Sequence, residues 1–245
     1  MDFLFVNSVP FHISKSRKIE YGTIAAVDNL SVDTMLKCSK SIITKYKSRG
    51  INIDEIMADN QFKPIAGSIN PTLLNVCAPN EHVGDIENFI KIIKERSRCV
   101  HSALPYGLRW PRVMTVGLME YLMRMLNSFP SNVGVSTTLS PATIVEGRRP
   151  IDARNISLPF GAYVQLTVEN TPTNSMKPRT IPAISLGPSG NTQGTYYFMN
   201  LLTGKRVHGR TWQRLPITTD IINSVHRLAE KQRMPDMPEG PIFEW

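Results

Sequence analysis

The stretch DFLFVNSVPFHISKSRKIEYGTIAAV, residues 2–27, decides how the chain begins to fold. Apolar residues dominate positions 2–7, and a Ser-Val-Pro turn follows them. From 11 to 27, apolar and polar residues loosely alternate on both sides of a turn near Arg17 to Glu20, which predicts two further strands. We therefore expect the fold to begin with three consecutive strands.

Helical and strand patterns then follow one another. Residues 31–50 have apolar positions at helical spacing, with Ser31 or Asp33 as the cap and Gly50 as the stop. The stretch 51–59 is a strand candidate that ends on a carboxylate, and 73–79 is another short strand candidate.

Two helices are predicted after these strands. In HVGDIENFIKIIKERSR, residues 82–98, four apolar residues recur at i, i+3, i+4 and i+7 and form one stripe of a helix: Ile86, Phe89, Ile90 and Ile93. A second helix, rich in Met and Leu, is expected over 113–127 and should be largely buried. Together, residues 1–130 predict a mixed α/β domain of common size.

The composition changes after Pro130. Residues 131–158 are polar, turn-rich and then basic, which indicates a linker. Residues 159–217 read as short strands separated by Pro, Gly and Asn, with a hairpin turn at Thr203 and Gly204, and so predict a small β-barrel or β-meander. A helix over 220–231 and a Pro-rich tail are expected in 218–245.

Charge and cysteine content narrow the class of protein. The formal net charge of +8 and the pI of about 9.5 favour a polyanionic partner, either nucleic acid or a membrane surface. Three cysteines do not form a disulfide framework, which indicates a reducing compartment. No apolar run approaches the roughly 20 residues that span a bilayer, and the start lacks a signal-peptide pattern, so we expect a nuclear or cytoplasmic protein without a membrane partner.

Three carboxylates lie where a metal site could form. Asp2 is in the first strand, Asp59 ends a later strand and Glu87 is near the start of a helix. Such acids can converge on two divalent metals for phosphoryl transfer, and their hard oxygens suit Mg²⁺ or Mn²⁺. Spacing alone favours the simpler interpretation, in which three unrelated acids are scattered along the chain.

Basic residues supply candidate phosphate contacts. Lys91, Lys94 and Arg98 follow Glu87 at i+4, i+7 and i+11, which forms either a solvated helix face or a surface that tracks a nucleic acid. In GKRVHGR, near several aromatic residues, three side chains are reasonable DNA contacts: Lys205, Arg206 and Arg210. The histidines and cysteines show no zinc-ligand spacing, so no zinc is expected.

Several stretches, taken in order, resemble one family. They are DFLFVN with Asp2, YKSRGINIDEIMADNQF with Asp59, EHVGDIENFIKIIKER with Glu87, and TTLSPATIVEGRRP. Together they resemble the catalytic core of copia-type LTR-retrotransposon integrases, which are retroviral-integrase-like members of the RNase H-like superfamily. LPFGAYVQL and ISLGPSGNTQGTYYFMNLLTGKRV resemble the β-rich region downstream of that core. The resemblance covers nearly the whole chain.

The resemblance implies an α/β fold: an RNase H-like mixed-sheet core with flanking helices, then a small all-β domain and a C-terminal helix. It also implies a DDE triad of Asp2, Asp59 and Glu87, with Glu81 as an alternative third acid, and two Mg²⁺ or Mn²⁺ ions. The implied activity is DNA binding with strand transfer of element DNA ends into target DNA. The expected partner is DNA, with a homo-oligomer possible.

Because the family's first strand extends upstream of its aspartate, the resemblance also implies a chain truncated at its amino terminus. Two alternatives remain open at this point. One is a catalytically inactive, nucleic-acid-binding relic of a transposable-element polyprotein. The other is a nuclease of the same fold that cuts DNA without joining it.

Overall fold

The computed structural model describes residues 1–77, 84–147, 156–168, 176, 178–191 and 193–244. The chain divides into two compact units. The first comprises Met1–Arg96, Leu122–Ile151 and Phe243–Trp245, and the second comprises Ser97–Tyr121 and Asp152–Ile242. None of the described helices is long and apolar enough to cross a membrane.

The first unit contains an antiparallel sheet built from the beginning of the chain. Strands β1 (Asp2–Val6), β2 (Val9–Lys15) and β3 (Gly22–Ala26) lie side by side, with Phe3 opposite His12 and Ile13 opposite Ile24. The three consecutive strands are therefore confirmed. On the other side of β1, strand β11 (Phe243–Glu244) pairs with Phe5 and Val6.

A separate parallel pair of strands follows in the same unit. Strands β4 (Glu55–Ala58) and β5 (Leu73–Val76) are joined by a 3₁₀ helix, Asn60–Ser68. The main-chain nitrogen of Met1 donates to Met57 O at 2.6 Å, so the start of β1 lies beside β4.

The three helices predicted before residue 130 are confirmed. Helix α1 (Val32–Lys47) begins after Ser31, whose hydroxyl accepts from Thr34 N at 3.3 Å and satisfies one of the unpaired N–H groups of the first turn. Helix α2 spans Gly84–Ser102 and helix α3 spans Arg112–Ser128. The apolar stripe of α2 is buried, as its spacing predicts: Ile86, Phe89, Ile90 and Ile93.

One part of the core of the first unit lies around β1, β4, α1 and the 3₁₀ helix. Phe3 of β1 stacks on Phe62 at 5.2 Å between ring centroids, and Met35, Ile56 and Ile65 are buried in the same cluster. This packing brings the end of β4 close to the start of β1, where two of the predicted acids lie.

The second unit is dominated by a five-stranded antiparallel sheet in the order β10-β6-β7-β8-β9. Its strands are β6 (Tyr163–Thr167), β7 (Thr180–Pro188), β8 (Tyr196–Asn200), β9 (Arg206–Gly209) and β10 (Trp212–Arg214). The β8–β9 hairpin turns at Gly204, which has φ 69°, as predicted. Helix α5 (Thr219–Lys231) follows, also as predicted.

This sheet curls towards closure. The ring of Trp212 on β10 lies 4.7 Å from that of Tyr196 on β8. Those strands are three positions apart in the sheet, which in a flat sheet is about 14 Å at about 4.8 Å per strand. A Cβ atom on Gly209 of β9 would lie 2.6 Å from Leu166 Cδ1 of β6, so these strands also approach each other across the interior.

Two elements differ from the sequence-based expectation. The stretch expected as a linker contains helix α4 (Pro141–Glu146), which is capped by Ser140 and ends at Gly147 with φ 66°. The tail expected after the last helix contributes β11 to the first sheet.

Among the described residues, the class is confirmed as mixed α/β, with several sheets and one parallel strand pair. One mixed sheet was expected, whereas β4 and β5 form a sheet of their own. The RNase H-like assignment stays a prediction.

Candidate functional site

Asp2 lies at the start of β1, and its carboxylate is half-buried. Its Oδ1 accepts a hydrogen bond from Phe3 N at 2.7 Å. Burial raises the pKa of the Asp2 carboxyl, and the negative charges of Asp59 and Glu87 raise it further. The hydrogen bond from Phe3 and the positive charge of the terminal amine lower the pKa of Asp2 but do not cancel the rise. Asp2 is thus within electrostatic range of both other predicted acids.

Asp59 follows β4 directly and caps the 3₁₀ helix. Its Oδ1 accepts from Asn60 N at 2.6 Å, which is the role that aspartate commonly takes at a helix start. The side chain is exposed to solvent. The strand end and the cap together fix where this carboxylate lies.

Glu87 lies in the first turn of α2 and is half-buried. An ion pair between Arg17 Nε and Asp85 Oδ2 at 2.6 Å ties the same turn to the segment between β2 and β3. A carboxylate in the first turn of a helix is stabilised by the positive end of the helix dipole. Glu81, the alternative third acid, lies outside the described residues.

The three carboxylates have the chemistry of a hard-cation site, because all their donors are oxygens. Within the described part of the chain, however, no three His, Cys, Asp or Glu side chains are close enough to hold one metal ion. Asp2 and Asp59 each use one oxygen to accept from the amide of the next residue. The charges of Asp59 and Glu87 therefore act on Asp2, but the described residues show no ligation geometry.

The predicted basic stripe on α2 is not uniform. Lys91 is exposed, whereas Lys94 is half-buried and its Nζ lies 6.0 Å from the centre of the Phe243 ring. Arg98 is exposed and belongs to the second unit, whose first segment begins at Ser97. Only Lys91 is an exposed member of the stripe within the unit that contains the acids.

The predicted basic residues of the β-rich unit lie at the β8–β9 hairpin and are exposed: Lys205, Arg206 and Arg210. Arg206 Nη1 pairs with Glu120 Oε2 at 2.7 Å, and its guanidinium lies 4.6 Å from the centre of the Tyr197 ring. Glu120 was not predicted as a partner of Arg206, because its place in a largely apolar helix does not reveal a contact with a distant strand.

A polar cluster around the buried Tyr21 was also not predicted. Tyr21 is buried, and its hydroxyl donates to Glu146 Oε1 of α4 and accepts from Lys45 Nζ of α1 at 3.1 Å. Lys45 Nζ lies 3.7 Å from Glu146 Oε1. Because the three residues come from the segment before β3, from α1 and from α4, only the fold brings them together.

No family model matches the chain, and no curated protein matches it. Among solved structures, it is similar to a chain of the cryo-electron microscopy structure of the simian T-cell lymphotropic virus intasome in complex with PP2A regulatory subunit B56 gamma. The identity is 12%, the TM-score is 0.38, and the match covers 86% of this chain and 76% of that chain. At this level of similarity, function has to be argued from the residues of the chain itself.

Proposed function

We propose that this chain is an integrase-like protein that binds DNA and uses Asp2, Asp59 and Glu87 to hold divalent metal ions for phosphodiester strand transfer. The observation that carries the proposal is the raised pKa of the half-buried Asp2, whose largest cause is burial and to which the charges of Asp59 and Glu87 add. Two acids that are distant in sequence therefore act on the carboxylate of a third.

The donor set suits Mg²⁺ or Mn²⁺, because all three side chains offer carboxylate oxygens and a cation would offset the burial and the added repulsion that raise the pKa of Asp2. When bound, such ions supply the positive charge that phosphoryl transfer requires. Asp2 and Asp59 would turn an oxygen away from the amides of Phe3 and Asn60, and Glu87 would reach from the first turn of α2. The ion pair of Arg17 with Asp85 holds that turn in place.

The DNA-binding part of the proposal rests on charge. The chain has a formal net charge of +8, and exposed basic side chains gather at the β8–β9 hairpin. Contacts with backbone phosphates release counterions, so the affinity for duplex DNA should fall steeply as salt rises.

The test is isothermal titration calorimetry with Mg²⁺ and with Mn²⁺ on the wild type, Asp59→Asn and Glu87→Gln. Two variants that remove a carboxylate outside the site serve as controls: Asp54→Asn, near the start of β4, and Glu95→Gln, two turns beyond Glu87 on α2. The proposal expects both site variants to lose binding and both controls to keep it. Binding that is indifferent to Asp59 and Glu87 contradicts the metal site.

A second candidate is a catalytically inactive nucleic-acid-binding protein with the same fold. It is favoured by the absence, among the described residues, of three metal-ligating side chains close together, and by the main-chain hydrogen bonds of Asp2 and Asp59. Salt-sensitive DNA binding without any Mg²⁺ or Mn²⁺ binding in the same calorimetric series supports this candidate over the first.

A further inference from the structure

Strand β9 presents a basic outer face. Val207 packs against the core cluster of this sheet and Gly209 approaches Leu166, so both face inwards. Because side chains alternate along a strand, Arg206, His208 and Arg210 share the opposite face, and all three are exposed. Tyr197 of β8 is paired with His208 and extends this surface.

Arg206 is already engaged on that surface. Its guanidinium lies 4.6 Å from the centre of the Tyr197 ring, an arrangement that orients the planar group. Its Nη1 donates to Glu120 Oε2 at 2.7 Å. Relative exposures of 43% for Arg206 and 33% for Glu120 show that both partners are reached by solvent, so the pair is screened and readily exchanged.

We propose that Glu120 is an internal competitor that occupies Arg206 in place of a nucleic-acid phosphate. The surface formed by Arg206 and Tyr197 is then a phosphate-binding surface whose affinity Glu120 limits. The inference rests on the DNA binding proposed above, and it names the contact and the residue that restrains it.

The chemistry of the two ligands supports the exchange. A carboxylate and a phosphate both offer two oxygens to the planar fork of a guanidinium. A nucleic-acid backbone brings further phosphates to Lys205 and Arg210, which flank β9 and are exposed, whereas Glu120 brings a single charge. A polyanion therefore gains contacts that the internal carboxylate cannot provide.

The experiment measures binding of the full chain to a fluorescent duplex DNA of about 30 base pairs by anisotropy at several salt concentrations. The variants are Glu120→Gln, Arg206→Gln and both together. Glu239→Gln is the matched control, because it removes the same charge from an exposed position in the same unit. Inorganic phosphate is added at constant ionic strength in a parallel series.

The inference expects Glu120→Gln to tighten binding by about 3- to 10-fold and to steepen the slope of log K against log salt by about 0.9, equivalent to one added phosphate contact. Arg206→Gln should cancel that gain in the double variant. Inorganic phosphate should weaken DNA binding by Glu120→Gln more than DNA binding by the wild type, because the freed guanidinium of Arg206 then binds inorganic phosphate.

Equal tightening by Glu120→Gln and Glu239→Gln overturns the inference, since net charge alone then explains the effect. Persistence of the gain without Arg206 overturns it as well. If the wild type fails to bind DNA while Glu120→Gln binds it, the inference about Glu120 stands and the DNA binding proposed for the unmodified chain fails. If neither protein binds DNA, the inference and the proposed DNA binding both fail.

Discussion

The side-chain amide of Asn127 forms two hydrogen bonds with the main chain of Gly22. Its Nδ2 donates to Gly22 O at 2.7 Å, and its Oδ1 accepts from Gly22 N at 2.9 Å. Gly22 begins β3, the last strand of the order β11-β1-β2-β3, and both residues are largely hidden from solvent. One side chain near the end of α3 therefore provides hydrogen-bond partners for the main-chain N–H and C=O of Gly22 at the edge strand of the sheet.

Asn127→Ala should lower the free energy of unfolding by about 2–4 kcal/mol, because it leaves a buried N–H and a buried C=O without partners. Urea unfolding followed by circular dichroism measures the change. Asn132→Ala, at an exposed position in the same unit, should stay within about 0.5 kcal/mol of the wild type. A similar loss in both variants contradicts the structural role of Asn127.

His12 should make the fold sensitive to acid. Burial lowers the pKa of His12 to about 3, and its Nε2 has no hydrogen-bond partner between the rings of Phe3 and Phe62. The folded state prefers the neutral ring, so stability is lost as the pH falls from the unfolded pKa of about 6.5 towards 3. The loss due to this group is about 2 kcal/mol at pH 5.

His12→Phe should remove most of this loss of stability. The measurement is the slope of the urea unfolding midpoint against pH between pH 7 and pH 5. His208→Phe, at an exposed position on β9, serves as the control and should keep the slope of the wild type. A slope that is unchanged in His12→Phe assigns the acid sensitivity to other groups.

Asp2 should reduce stability at neutral pH. Its raised folded-state pKa means that the folded chain binds a proton more tightly than the unfolded chain. The stabilisation due to the protonated form is complete below the unfolded value near 3.8 and is lost as the pH rises through the folded pKa.

Asp2→Asn, which keeps an oxygen for the amide of Phe3, should therefore raise the melting temperature at pH 7 and raise it less at pH 4.5. Differential scanning calorimetry at both pH values tests the sign. Asp54→Asn is the exposed control. A gain that grows towards acid pH contradicts a raised folded-state pKa of Asp2.

Tyr21 and Glu146 should be energetically coupled. The Tyr21 hydroxyl joins α4 to α1 through Glu146 and Lys45, where Tyr21 is buried, Glu146 is half-buried and Lys45 is exposed. Tyr21→Phe removes a hydrogen bond to a carboxylate and should cost about 1–3 kcal/mol. A double-mutant cycle with Glu146→Gln should give a coupling energy of at least about 0.5 kcal/mol, and additive effects count against the cluster.

Local spacing along the chain is enough to predict several elements. Ser31 marks the start of α1, and the four apolar residues of α2 mark the face of that helix that is buried. Helix α4 was missed although its signals are local, since Ser140, Pro141 and Gly147 are a cap, a first-turn proline and a left-handed stop.

What the sequence could not provide is non-local pairing. Asp2, Asp59 and Glu87 could each be assigned to an element, but only the fold shows that two of them shift the pKa of the third. Glu120 could be placed on a helix, while its bond to Arg206 depends on how a distant hairpin packs. The same holds for β11, whose two paired residues are too few to carry a strand pattern.

Strand β11 also bears on the order in which the first sheet can form. Phe243 pairs with Val6 across nearly the whole length of the chain, so this contact closes the longest loop in the first unit and carries the largest closure entropy. During synthesis, the edge of β1 at Phe5 and Val6 stays open until residues 243–244 have been made. An open strand edge is a template for pairing with another chain. Slow translation therefore lengthens the interval in which nascent chains can pair incorrectly through this edge. A chaperone that covers β1 would act in that interval.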